Sequence, residues 1–243
     1  MSPRPRIPRP TAARVSVYLR ELEVRLERGD RTVRSREIGE SLGLTDAQVR
    51  KDLRALGLAG HPGVGYPIDE TLNRLRGLAG TDRGWKVALV GAGNIGKALM
   101  SYTRFEDEGF RIAAVFDADP AKTGLRIGGL RVEPMSRLAE TIAAEGIRLG
   151  IVATPIASAQ QAADALVAAG IEGLLNFAPR RLELPTSIAT TEVDLSMSLM
   201  NLALQVRLVD GVPIDLPMGS PKGSSNGLHR ESESGSMESV QAP

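Results

Sequence analysis

Residues 86–103 run from an unbroken apolar stretch, through Gly91-Ala92-Gly93-Asn94-Ile95-Gly96, into a helical pattern. Few folds accommodate that succession. The glycines have the spacing G-x-G-x-x-G in the context that gives it meaning, after a strand and at the opening of a helix. Gly91 permits the tight turn, Gly93 lets the backbone approach a pyrophosphate, and Gly96 lets the helix pack close to the sheet. The free N–H groups and positive end of the helix suit phosphates, so Ala92, Asn94 and Ile95 are counted with the glycines as the cradle. A second strand, Arg111 to Asp117, is apolar from Ile112 to Phe116, as expected of a parallel strand buried on both faces. Asp117 lies about 20 residues beyond the glycines, where an acid binds ribose hydroxyls. A carboxylate there repels a 2′-phosphate, so NADH and NAD+ are expected in preference to their 2′-phosphorylated forms. The alternative is a turn of the same shape that serves structure alone. Strand, turn, helix and acid together favour a bound dinucleotide.

The following residues alternate strand and helix. Short strands are expected around Gly128-Gly129 and a helix over Ser136–Glu145. Then come a strand over Leu149–Thr154, a helix over Ala157–Ala169, a strand over Gly173–Phe177 and an edge strand over Ile188–Val193. That rhythm predicts an α/β, Rossmann-like, doubly wound parallel sheet. Thr154-Pro155 and Asn176-Phe177-Ala178-Pro179 end two of its strands, where such sheets place ligands. Ordinary strand-exit turns account for these residues as well as contact with the nicotinamide half does. Leu195, Leu199, Leu202, Val206 and Val209 then form a helical stripe. From about Leu216 the chain turns to Ser, Gly, Pro and Glu and cannot bury enough apolar area to order itself.

The front of the chain has a different character. Residues 1–86 carry 17 Lys/Arg against 11 Asp/Glu, while the remainder carries 13 against 18, so the first part suits a polyanion partner. Val15, Leu19, Leu22 and Leu26 stripe a first helix beginning near Thr11. Ser35 is placed to cap a second, with Ile38 and Leu42 buried and Gly43 as its break. Thr45 and Gln48 form a capping box on a third helix. Val49, Leu53 and Leu56 face inward there, leaving Gln48, Arg50, Lys51 and Arg54 outside. This is a helix-turn-helix. Gly57, Gly60, Gly63 and Gly65 read as a β-hairpin wing ending in Gly63-Val64-Gly65-Tyr66, and a short helix follows over 70–79. The expected organisation is a flexible arm (1–10), a winged-helix DNA-binding domain (11–80), a linker (81–85) and a dinucleotide domain (86–194). A C-terminal helix (195–212) and a disordered tail (213–243) complete it.

Composition closes several routes. There is no cysteine, so disulfides, thiolate metal sites and a cysteine nucleophile are excluded, and no metal is expected. No apolar run approaches the ~20 residues of a membrane span. The Arg/Pro-rich start lacks an apolar signal core, and a cytoplasmic location fits. A dehydrogenase needs an acid or base, yet the two histidines, His61 and His229, fall in the wing and the tail. Lys97 and Lys122 have surface-like surroundings, and Tyr102 has no lysine at a spacing that would lower its pKa. No catalytic residue is therefore assigned. A nucleotide-sensing transcription factor is the expected function, with an NAD-dependent dehydrogenase and a nucleotide-regulated protein adaptor as alternatives.

Five motifs in order give a further expectation: Val49-Arg50-Lys51-Asp52-Leu53, Gly63-Val64-Gly65-Tyr66, the glycine turn from Gly91 to Gly96, Asn176-Phe177-Ala178-Pro179, and Val193-Asp194-Leu195. Over most of residues 11–210 the chain resembles the redox-sensing transcriptional repressor family Rex. The resemblance implies a homodimer whose winged helices read a palindromic operator. It implies release by NADH, competition by NAD+, and a last helix packed between the domains of the partner subunit. It places Arg50 and Lys51 near DNA. It also makes Arg20, Tyr102 and Asp194 a switch, with Asp194 pairing with Arg20 across subunits in one state and with the Tyr102 hydroxyl in the other. For Arg20 a solvated helix surface, and for Asp194 a helix N-cap, are the plainer readings. Asp52, repelled by phosphate, is expected to orient an arginine. The chain departs from the family at Leu56-Gly57-Leu58-Ala59-Gly60, where aromatics are usual, and at Pro62, after His61, where a basic residue is usual.

Overall fold

A computed structural model describes residues 7–80 and 84–209. The first 80 residues form α1 (Arg9–Glu27), β1 (Thr32–Val33), α2 (Ser35–Leu42), α3 (Asp46–Ala55), β2 (Tyr66–Pro67) and α4 (Ile68–Ala79). Tyr18, Leu22, Ile38, Val49, Leu53, Ile68 and Leu75 close their core. Helix α1 starts at Arg9, inside the expected arm, because Pro10 in its first turn has no N–H to leave unpaired and a φ already helical. Ser35 is the first helical residue of α2 rather than its cap. Its hydroxyl instead donates to Asp46 at 2.5 Å and ties α2 to the start of α3. Thr45 does cap α3, accepting the Gln48 N–H at 3.2 Å, but the Gln48 side chain does not return to it. It reaches Asp52, a buried acid that offers a stronger acceptor.

The wing is smaller than expected. His61 donates to the Gly65 carbonyl at 2.7 Å and Gly65 to the His61 carbonyl at 2.9 Å, closing a tight turn over Pro62-Gly63-Val64. Gly65 has φ +103°, and a Cβ there would lie 2.4 Å from the Val33 carbonyl oxygen. The wing's base is the antiparallel pair Val33–Tyr66, whose first strand the sequence pattern did not reveal.

The second layer system comprises β3 (Trp85–Val90), α5 (Asn94–Met100), α6 (Arg104–Asp107), β4 (Phe110–Asp117), β5 (Arg126–Ile127), β6 (Leu130–Pro134), α7 (Leu138–Glu145), β7 (Leu149–Val152), α8 (Ile156–Ala168), β8 (Gly173–Asn176) and β9 (Ala189–Glu192). The strand order is β5-β6-β4-β3-β7-β8-β9, parallel except for the β5–β6 hairpin. Winding reverses at β3, so the crevice between the carboxyl ends of β3 and β7 is where this architecture binds ligands. Alternate residues serve opposite faces. Ala88, Val90, Phe116 and Val152 pack with Leu138, Ile142 and Leu166 on one side, and Val87, Leu89, Val115 and Ile151 form the other cluster. The expected helix over Asn94–Thr103 ends early, at Met100, and a separate short helix, α6, follows beyond Tyr102.

Helix α9 (Leu195–Val209) belongs, from Ser196, to a separate compact unit. Its leucines, methionines and valines are exposed all round it. No helix among the described residues is long and apolar enough to cross a membrane. The expected tail lies outside the described residues, as do parts of the arm and the linker.

One buried acid sets the pose of α3. Asp52 is 1% exposed. It accepts hydrogen bonds from the Thr11 hydroxyl (2.8 Å), Arg14 Nε and a second guanidinium nitrogen (2.6 and 2.8 Å), the Tyr18 hydroxyl (2.7 Å) and the Gln48 amide (3.0 Å). Three of those partners come from α1, and the arginine it was expected to orient is Arg14. Burial alone would push this carboxyl up; the hydrogen bonds from Arg14, Tyr18 and Thr11 outweigh it and hold Asp52 at about 2. Burial and the bond to Asp52 push the Tyr18 phenol above its ordinary range. Asp52→Ala is expected to destabilise the chain by about 3 kcal/mol, since it leaves Arg14 and Tyr18 without their acceptor. An unfolded aspartate titrates near ~3.9, so the network's contribution is complete above that pH and is lost as pH falls toward the folded value. Denaturant melts of wild type and Asp52→Asn will check this: their stability gap narrows between about pH 4 and pH 2.

Candidate dinucleotide and nucleic-acid sites

At the winding reversal lies a cleft of about 730 Å³, lined by Gly91, Gly93, Asp117, Thr154, Pro155 and neighbours from β6 and α8. The glycines act as separate devices. Gly91 turns the chain with φ +109°, and a Cβ on it would sit 2.5 Å from the Ala153 carbonyl oxygen. A Cβ on Gly96 would come within 1.9 Å of the Gly91 carbonyl oxygen, so only glycine lets α5 start this close to β3. A Cβ on Gly93 would meet nothing within 4 Å, so that backbone borders open space. This is the cradle that a pyrophosphate requires. Asn94 and Ile95 are exposed at the start of α5, whereas Ala92 is buried and turns its N–H inward.

That N–H goes to Asp117. The carboxylate is 8% exposed and accepts from Ala92 N (2.8 Å), Asp119 N (2.9 Å) and Lys122 Nζ (3.0 Å). Burial opposes its charge, but these backbone bonds and Lys122 hold its pKa below the ordinary value. Opposite it, Thr154 Oγ1 is buried with no hydrogen-bond partner among the described residues. A buried hydroxyl left without a partner is a group that a ligand or water must satisfy. Asn176 is elsewhere engaged: its Nδ2 donates to the Arg180 carbonyl (2.8 Å) and its Oδ1 accepts from Ala178 N (2.9 Å), while Phe177 is half-buried against the sheet. The open glycine, the buried Asp117 carboxylate and the orphan hydroxyl fit a dinucleotide. No group of His, Asp and Glu among the described residues is placed to hold a metal ion.

The front module presents a second concave surface. A groove of about 570 Å³ between α3 and the wing is lined by Arg34, Arg36, Arg50, Arg54, His61 and the wing glycines Gly63 and Gly65. Arg50 and Lys51 are exposed, and Arg50 pairs with Asp46 one turn earlier. One Gln48 amide hydrogen is already committed to Asp52. Arg34 and Arg36 had no signal in the sequence pattern because they flank the start of α2 rather than lying on α3.

The three residues that the family resemblance implies as a switch lie apart in the sequence, one on α1 and two outside helices and strands. Arg20 is exposed on α1, Tyr102 is 52% exposed and packs edge-on against Phe105, and Asp194 precedes α9. The pairing that the family resemblance implies for Arg20 and Asp194 lies between two subunits.

Residues 6–53 match the family model "Putative DNA-binding protein N-terminus", and residues 82–180 match the "CoA binding domain" model. The chain is 42% identical over 202 residues to the redox-sensing transcriptional repressor Rex of Carboxydothermus hydrogenoformans, spanning 83% of this chain and 97% of that protein. It is 41% identical over 197 residues to the Rex protein of Streptomyces coelicolor, spanning 81% of this chain and 76% of that one. The chain belongs to the Rex family. Crystal structures of RSP, a Rex-family repressor, share the fold with a TM-score of 0.76. The RSP complex with β-NADH is 33% identical and covers 84% of this chain and 96% of its own. The complex with β-NAD+ and operator DNA is 34% identical and covers 84% and 94%. Rex proteins are named as repressors rather than enzymes, in keeping with the expectation that this chain is not a dehydrogenase.

Within this Rex-family chain, the most informative residue missed is Lys122. It was expected on the surface, but it is half-buried and bonded to Asp117. The spacing Asp117-x-Asp119-Pro120-x-Lys122 was its only signal. Gly96 and Gly93 are expected to fail differently when substituted. Gly96→Ala is expected to lose both thermal stability and NADH binding. Gly93→Ala is expected to melt like wild type while binding NADH about tenfold or more weakly, because the new methyl enters the ligand's space alone. A thermal melt beside an NADH fluorescence titration separates the two.

Proposed function

We propose that this chain is a redox-sensing repressor that grips operator DNA as a homodimer and lets go when NADH enters the cleft. NAD+ competes for the same site and preserves repression, so transcription follows the NADH/NAD+ ratio. The observation that carries this reading is a single fold holding both a basic recognition helix and a glycine cradle with a buried ribose acid. The RSP complexes, one with β-NADH and one with β-NAD+ and operator DNA, support it by likeness.

In this reading residues 11–80 are the reader and 86–194 the sensor. Arg50, Lys51 and Arg54 meet the duplex from α3. Gln48 contributes what its bond to Asp52 leaves free, and Gly63 and Gly65 shape the wing tip beside the phosphates. Pro62 supplies no charge there, so Arg34 and Arg36 carry more of the backbone contact. In the sensor, Gly91, Gly93, Gly96 and the exposed N–H groups of Asn94 and Ile95 take the pyrophosphate, and Asp117 takes the adenosine ribose. Ala92 acts through its bond to Asp117. Thr154 and Pro155 face the ligand, and Asn176 and Phe177 shape the far end of the site. A helix this rich in apolar residues normally encloses its apolar face. Helix α9 is exposed on every side here, which supports its being covered by the two domains of a partner subunit. Asp194 exchanges Arg20 of the partner for the Tyr102 hydroxyl as the subunits close. The protein acts in the cytoplasm, without metal.

Gel shifts on an operator duplex test the reading. Saturating NADH is expected to weaken binding, and unchanged affinity would refute it. Lys51→Ala is expected to weaken binding and flatten its salt dependence by ~0.9 in log–log slope, one phosphate contact.

A further inference from the structure

Lys122 is the one cation among the described residues lining the cleft, and Asp117 is the one acid. Its ammonium lies 3.0 Å from one Asp117 oxygen and 3.8 Å from Asp119. A carboxylate offers about four acceptor positions, and a ribose diol held in two places needs two of them. Ala92 and Asp119 already take two of those at Asp117 through backbone bonds that fix the turn. Lys122 takes a third, on a flexible stem that leaves its side chain 35% exposed. A ribose therefore displaces this ammonium from Asp117 or shares the oxygen with it. Either way the positive charge stays at the rim of the acid, beside the 2′ position.

We infer that Lys122 sets how strongly this cleft discriminates against a 2′-phosphate. The inference rests on the dinucleotide reading above. Asp117 and Asp119 repel a 2′-phosphate, and Lys122 attracts it. A 2′-hydroxyl instead donates to Asp117, a bond for which Lys122 competes, so removing the ammonium does not weaken the ribose contact. Removing the ammonium leaves both repulsions uncompensated, so selectivity for NADH over NADPH rises. Removing the Asp117 charge has the opposite effect.

The experiment measures NADH and NADPH affinities of the full-length protein by competition titration, for wild type, Lys122→Met and Lys122→Arg, and for the same changes in an Asp117→Asn host where NADPH binds better. Lys122→Met is expected to raise the NADH-over-NADPH preference about tenfold or more in either host. Lys122→Arg, which keeps the charge, is expected to stay within about twofold of its parent. A side chain that merely braced the turn would weaken both ligands alike and leave the ratio fixed. An unchanged ratio in Lys122→Met, with NADH still bound by wild type, overturns this inference alone. A wild-type protein that binds neither dinucleotide overturns the functional reading beneath it.

Discussion

The bond from the Ala92 N–H to Asp117 pins the glycine turn on which the sensing half's cleft is built. It spans 2.8 Å between the glycine turn after β3 and the end of β4. The turn keeps its shape because Gly91 and Gly96 admit backbone where a side chain would collide, and the acid fixes it against the neighbouring strand. The same carboxylate is the group expected to meet the ribose. Scaffold and recognition thus share one charge, which burial disfavours and backbone N–H groups restore. A change at Asp117 acts on both.

The reading half has its own buried acid, and α1 links the two. Near its start, α1 holds Asp52 of the recognition helix through Thr11, Arg14 and Tyr18. A turn further on, Glu23 accepts from Arg76 of α4 at 2.8 Å and from Arg104 of α6 at 3.2 Å. The first tie is buried and strong. The second is partly exposed, and pairs of that kind contribute little individually. The link to α3 is buried and multiply bonded, whereas the link toward α6 is a single partly exposed ion pair.

Much of the fold was legible because it follows from periodicity and glycine chemistry. The apolar run from Ile112 to Phe116 predicts a buried parallel strand, and the glycine turn predicts the helix after it. Partner choice was less legible. Nothing in the spacing of Thr45 and Gln48 reveals that Gln48 turns toward Asp52, because that depends on residues brought from α1. Strand β1, two residues long, has no pattern to read. Ser35 resembles a cap in sequence, yet Asp46 was near enough to take its hydroxyl. Of the candidate sites, the glycines, Asp117 and the exposed Arg50 and Lys51 were visible in sequence. Arg34 and Arg36 were not, since they reach the groove beside α3 through tertiary proximity, and Lys122 had only its spacing from Asp117 and Asp119 as a signal.

Negative coupling between nucleotide and DNA is the central claim, and thermodynamic linkage makes it reciprocal. Calorimetric titration of NADH into the free protein and into its operator complex tests this most directly. The account predicts weaker NADH binding to the complex, by the same factor as NADH weakens operator binding. Equal NADH affinities in the two titrations would contradict it.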